Sequence, residues 1–128
     1  MAEPARQVLV WNRAALEGGG SSPCEGDLAL AGLLRAHGIV MNGGVDHALE
    51  VLSRAELMAA IAGYRYFGFD VVALLLEQAD AVSASDAGVL NSSYWREISG
   101  DAAIAGAFRQ KLLSLPDAFA PVSCVSNA

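Results

Sequence analysis

Five residues, Met41-Asn42-Gly43-Gly44-Val45, most constrain the path of this chain. They interrupt an otherwise helical pattern that carries almost no strand alternation. Asn-Gly-Gly tolerates positive φ at three consecutive positions, which a helix interior does not. The residues therefore predict two helices meeting at a fixed joint, with Asn42, Gly43 and Gly44 as its structural kink. Asp46, His47 and Glu50 follow the joint immediately.

Helical signals fill the chain on both sides of it. A first helix is predicted from about Pro4 to Glu17, with Val8, Trp11 and Ala15 on one face and Arg6 and Arg13 elsewhere. Gly18-Gly19-Gly20-Ser21-Ser22 then reads as a flexible polar linker. It lacks the lysine and the preceding strand of a phosphate loop. Ser22, Pro23 and Glu25 have the form of a capping box and predict the second helix, through Leu30, Leu33, Leu34 and His37 to a stop at Gly38. Val45, Ala48, Leu49 and Leu52 mark a short third helix.

A second capping box, Ser53-Arg54-Ala55-Glu56, opens a fourth helix through Leu57, Ile61, Tyr64 and Gly68. Asp70 caps a fifth, which carries Val72, Leu75, Leu76 and Ala79 inward to about Ala81. Ser83 to Ser92 reads as loop, and Tyr94, Trp95 and Ile98 as a short helix or an ordered turn. A last helix starts at Ser99-Gly100-Asp101 and carries Ile104, Phe108, Leu112 and Leu115 on one stripe; Pro116 either ends it or begins a final turn carrying Phe119. Gly32, Gly63 and Gly106 lie inside helices, where each costs about 1 kcal/mol against alanine. Close helix contact is the expected compensation. The expected architecture is all-α, one bundle of six or seven helices: an N-terminal helix and linker over 1–22, a helical domain over 23–122 and a frayed tail over 123–128.

Composition narrows the function classes. The chain has 128 residues, 54% of them hydrophobic and 17% charged, which suits one domain with a sizeable core. Its formal net charge is −6. Phosphate binding needs clustered Lys and Arg, so nucleic acid is not expected as a direct partner, whereas a basic protein is compatible. The longest strongly apolar run, Val71 to Leu76, is shorter than the ~20 residues a bilayer span needs. The first residues have no basic segment feeding an apolar one. A cytoplasmic protein with no membrane partner is the expectation. Cys24 and Cys124 show no metal-ligand spacing and read as lone thiols.

Asp46, His47 and Glu50 form the one acid–base cluster in sequence. On a helix they are i,i+3 and i,i+4 neighbours, so a small metal-binding protein or enzyme is the alternative they suggest, with ligands added from another helix. A structural account competes with it. Asp46 favours a helix N-terminus, and Glu50 can pair with Arg54. No nucleophile has a base beside it, so no catalytic residue, metal or cofactor is assigned. His37, at the end of an apolar stripe, reads as a satisfied structural histidine. Tyr64, Tyr66, Phe67 and Phe69 read as core, with part of the group left for a partner surface. The acidic bias from 70 to 101 consists of Asp70, Glu77, Asp80, Asp86, Glu97 and Asp101 against Arg96 alone. It offers either a solvated surface or an acidic interaction face.

The order Gly38-Ile39-Val40-Met41-Asn42-Gly43-Gly44-Val45, Tyr64-Arg65-Tyr66-Phe67-Gly68, Ala73-Leu74-Leu75-Leu76-Glu77 resembles a bacterial family of small helical domains named after a DNA-mimic protein. The similarity continues through Tyr94-Trp95, Asp101, Phe108, Leu112 and Pro116-x-x-Phe119, and spans roughly Leu28 to Val122. The resemblance implies an all-helical fold, a homodimer, and a protein partner. In the family's named member an acidic surface occupies the DNA-binding site of a transcription regulator. Such a role rests on surface carboxylates and not on a catalytic motif. Together these readings point to a non-enzymatic interaction module, with a structural or immunity-type partner protein as a further alternative.

Overall fold

A computed structural model describes residues 6–81 and 87–122. Among the described residues every regular element is helical, as the pattern predicts. They are α1 (Arg6–Glu17), α2 (Glu25–Val51), α3 (Arg54–Tyr66), α4 (Asp70–Ala81), α5 (Ala87–Glu97), α6 (Asp101–Ser114) and a 3-10 turn (Pro116–Ala118). The spine is α2, which packs against α1, α3, α5 and the 3-10 turn, while α4 lies between α3 and α5. Leu30, Leu33, Val45, Tyr64, Val72, Tyr94, Ile98, Ile104 and Phe108 make one continuous core around it.

The helix starts follow capping chemistry, with one shift. Ser53 Oγ accepts from the Glu56 N–H at 3.1 Å, and Glu56 Oε1 accepts from the Ser53 N–H at 2.9 Å, as the second box requires. For α2 the box moves two residues along. Cys24 is the N-cap, and Asp27 rather than Glu25 closes the box with a 3.0 Å bond from the Cys24 N–H. Ser22 is not the cap because Asp27 has a better use for its carboxylate: it is fully buried and meets Arg13.

That meeting also reverses the face of α1. Val10 and Ala14 are buried, whereas Val8 and Ala15 are exposed and Trp11 is half-buried. The arginines expected on the outer side face inward. Arg6 donates to the Pro116 and Phe119 carbonyls at 3.1 and 3.0 Å. Arg13 donates to the Pro121 and Ala120 carbonyls, each at 2.9 Å. Carbonyls of the C-terminal segment thus help decide which side of α1 is inside. The three glycines after α1 form a tight turn, with the Gly19 N–H bonded to the Arg13 carbonyl at 3.1 Å and Gly19 itself buried.

Gly38 does not end a helix. Helical bonding runs from Glu25 to Val51, and the joint is a single residue, Gly44, at φ 92° and ψ 173°. Asn42 and Gly43 stay helical, so one positive φ suffices where three were allowed. By length and hydropathy α2 alone would be apolar enough to cross a membrane. Here its apolar side is the core, and its sequence also carries Asp27, Arg35, His37 and Asp46. Residues 87–92, read as loop, are the first turns of α5. Their Gly88, Asn91 and Ser92 lower helix propensity, but Leu90 and the following Tyr94 pack on the core and override it. The rest of that predicted loop, 83–86, lies outside the described residues, as does the tail from 123.

Two of the three interior glycines have the expected reason. A Cβ on Gly32 would stand 2.7 Å from the Ala59 carbonyl oxygen, and one on Gly63 would collide with the Ala29 carbonyl. Backbones of α2 and α3 therefore touch directly. Gly106 has open space around it. Gly63→Ala is expected to wedge the two helices apart and cost about 1–3 kcal/mol. Gly106→Ala is expected to gain about 0.5–1 kcal/mol, because only helix propensity changes. Thermal unfolding by circular dichroism reads both signs, and equal shifts would remove the close-packing argument.

Candidate functional site

The interior contains a chain of polar groups that no local motif announces. Tyr64 Oη on α3 lies 2.7 Å from Tyr94 Oη on α5, and Tyr94 Oη lies 2.6 Å from His37 Nδ1 on α2. His37 Nε2 in turn lies 2.9 Å from Asp101 Oδ1, the first residue of α6. Tyr64 and Tyr94 are fully buried and His37 is 4% exposed. The Asp101 side chain is 72% exposed, so one end of the chain reaches water. Ring packing holds it in place: Trp95 meets both His37 and Tyr94 edge-on, at 6.4 and 5.4 Å between centroids.

Donor counting gives the chain a direction. An ionised Asp101 accepts from His37 Nε2–H, which leaves Nδ1 of the neutral ring as an acceptor. Tyr94 O–H then donates to Nδ1, and Tyr64 O–H donates to Tyr94 Oη. Every hydroxyl proton has an acceptor. A doubly protonated ring would have to donate to Tyr94, leaving one of the two hydroxyl protons with no acceptor in the chain. Burial pushes both phenols up, Tyr64 well above the ordinary value, with the Tyr94 hydroxyl adding to it and the Asp101 charge raising Tyr94 further. Both therefore stay neutral donors. The arrangement fixes the relative positions of α2, α3, α5 and α6, and it matches the structural reading of His37.

The joint sits near the same helix. Val45 N–H, the backbone donor freed where Gly44 leaves helical geometry, gives a 2.7 Å bond to Asn91 Oδ1 of α5. A side chain from another helix thus acts as the cap. A Cβ on Gly44 would stand 2.9 Å from that same Asn91 oxygen. Asp46, His47 and Glu50 occupy the following turns. His47 is 46% and Glu50 80% exposed at the side chain, with 3.9 Å between Nδ1 and Oε1. Among the described residues no group of three or more His, Cys, Asp or Glu is arranged to hold a metal ion.

The acidic residues are spread over several elements. Asp70 and Glu77 lie on α4, Glu97 ends α5 and Asp101 starts α6. Glu77 makes a fork with Arg65, at 2.6 and 3.0 Å, which holds its carboxyl below the usual range and raises the guanidinium. Asp101 is engaged by His37. Asp80 lies in α4, and Asp86 is outside the described residues. Of the four aromatics between α3 and α4, Tyr64 and Phe67 are core, while Tyr66 and Phe69 are half-buried. Lys111 stands 4.8 Å from the Tyr66 ring centroid. Residue reading placed His37, Tyr64, Tyr94 and Asp101 each on its own element and missed that they meet. The available signal was four polar groups at stripe positions or helix ends, each needing a partner.

Comparison of the chain with known protein families, with curated proteins and with solved structures gives no match.

Tyr94→Phe is expected to cost about 2–4 kcal/mol, since it strands both His37 Nδ1 and the Tyr64 hydroxyl. Tyr64→Phe removes only the terminal donor and is expected to cost about 1 kcal/mol. The double variant should lose less than the sum, because no hydroxyl is then stranded. Urea unfolding measures all three, and strict additivity would disprove the coupling. A pH prediction follows from the phenols. The chain's three tyrosines, Tyr64, Tyr66 and Tyr94, all have raised values in the folded state. A raised folded value means stability that is fully present below the unfolded phenol value of ~10 and lost as pH rises above it. Phenolate absorbance should therefore appear only above pH ~10 and in step with loss of helical signal.

Proposed function

We propose that this chain is a non-enzymatic protein-interaction module that meets a basic partner with the outer face of α4. The observation that carries the reading is the division of that helix. Val72, Ala73 and Leu76 are 0–2% exposed, while Val71 and Leu74, on successive turns of the opposite side, are 55% and 49% exposed. Asp70 shares that outer side, Gln78 continues it, and the Arg65–Glu77 fork borders it. Scattered exposed apolar side chains need no explanation, but an apolar pair with a carboxylate rim has the composition of a small interface.

The net charge of −6 supplies the complementarity that selects a basic partner. The resemblance to DNA-mimic proteins narrows the proposal to a DNA-binding protein, whose basic site would accept carboxylates in place of phosphates, in the cytoplasm. Fixed geometry behind α4 supports the reading, because a rigid surface loses less entropy on binding.

Capture of partners from the native cell tests it at low and high salt, with Leu74→Ser and with Asp70→Lys. Leu74→Ser is expected to weaken capture by roughly tenfold, as for loss of an interface anchor. Asp70→Lys is expected to weaken it mainly at low salt, where unscreened charge steers association. A partner retained equally by both variants at unchanged thermal stability would overturn the assignment of this face.

A further inference from the structure

A second surface feature is unrelated to α4 in chemistry. Between α1 and α6 lies a groove of about 180 Å³, with Val8, Trp11 and Asn12 on one side and Ala105, Phe108 and Arg109 on the other. Its floor is aromatic. Phe108 is 1% exposed, and the half-buried Trp11 ring meets it edge-on at 5.7 Å between centroids. Val8, 46% exposed, forms an apolar lip. Among the described residues no carboxylate lines the groove.

Arg109 is the informative residue. Arg13, Arg35 and Arg65 each hold a carboxylate, and Arg6 holds two carbonyls. Arg109 has no hydrogen-bond or ion-pair partner among the described residues, although the chain carries six more negative than positive charges. An uncommitted guanidinium at the rim of an aromatic groove offers a fork matched to a carboxylate, beside apolar surface for the rest of the ligand.

We propose that this groove binds a small apolar monocarboxylate, with the carboxylate on Arg109 and the hydrocarbon body over Trp11 and Phe108. Size limits the class. Pockets for drug-sized ligands occupy ~300–1,000 Å³, and this groove is well below that range, so a short-chain or single-ring acid fits and a nucleotide does not. Charge limits it again. An alcohol or amine of the same length lacks the group Arg109 recognises, and an ammonium would be repelled.

The test uses the groove's own reporter. The chain has two tryptophans, Trp11 and Trp95, so Trp95→Phe leaves Trp11 as the sole indole. Titration of this protein with sodium hexanoate should give a saturable change in emission. Hexanol should bind at least tenfold more weakly, and hexylammonium should give no saturable change. Arg109→Gln should weaken hexanoate at least tenfold. Arg96→Gln, at the other arginine with no partner among the described residues, should leave it unchanged. Ala105→Leu should abolish binding by filling the groove. Calorimetry with the unsubstituted chain reads the same affinities if Trp95→Phe does not fold. A response that does not saturate, one of equal strength with hexylammonium, or one indifferent to Arg109→Gln would overturn the proposal.

Discussion

The Asp27 carboxylate is the interaction on which the rest of the structure depends. It is fully buried, and its two oxygens tie the start of its own helix to α1 and to the C-terminal segment. Oδ1 accepts from Arg13 of α1 at 2.8 Å, and Oδ2 accepts from the Cys24 N–H at 3.0 Å and the Ala120 N–H at 2.7 Å. A charge taken out of water is tolerated only with a full set of donors, and loss of one partner of a buried pair costs about 3–5 kcal/mol. Its place in the first turn of α2 adds the favourable end of the helix dipole. Because the donors come from α1 and from the C-terminal segment, neither can leave without stranding the charge. Packing reinforces the same closure. Phe119 is 2% exposed, stacks edge-on against Phe108 and presses on the Gly26 backbone, where a Cβ would stand 2.6 Å from the ring.

The other half of α2 is held by different chemistry. Asn91 caps the break at Gly44, and His37 reaches α5 and α6 through Tyr94 and Asp101. Both contacts need one particular register of α5 against α2, since a turn's slip would leave three buried polar groups unpaired. Between these ends, the glycines at 32 and 63 bring α2 and α3 into backbone contact. The spine is thus fixed by a buried ion pair at its start, by close backbone packing against α3, and by side-chain hydrogen bonds to α5 and α6 further along. The more peripheral elements α1, α4 and α6 each keep an exposed face.

What the sequence made legible follows from the range of the interactions. The Ser53–Glu56 box, the α3–α4 turn before Asp70 and the stripe positions Ile104, Phe108 and Leu112 are local, and each formed where its residues stand, whereas Leu115, expected on the same stripe, lies past the end of α6 and is 46% exposed. The errors have long-range causes. Asp27 was available as a capping residue two positions beyond Glu25, but its selection depends on Arg13 and Ala120. The inward face of α1 depends on carbonyls more than a hundred residues away. Gly38 reads as a stop because helix propensity is local, while tertiary packing of Val40 and Val45 carries the helix onward to the single break at Gly44. The joint was legible as a joint, and its neighbours His47 and Glu50 proved to face water. The polar chain through His37 was not legible, since its members come from four helices and no spacing rule links them.

The distribution of partners on the surface bears on what the acidity can do. Arg13, Arg35 and Arg65 are each committed to a carboxylate of the same chain, so much of the positive charge is spent on internal geometry. The uncompensated carboxylates then set a net negative field that extends about a Debye length, near 8–10 Å at ordinary salt. Such a field attracts a basic partner and raises the encounter rate, but it does not select one docking orientation. Orientation requires contacts that exclude water, which for the proposed α4 face would come from the exposed Val71 and Leu74. The same reasoning separates the α1–α6 groove, where the charge beside the exposed apolar surface is Arg109 and the sign is inverted. A basic partner drawn to the acidic surface would be repelled there, and a small carboxylate would be repelled from α4. The two ligands proposed for these faces carry opposite charges, so neither would compete for the other's face.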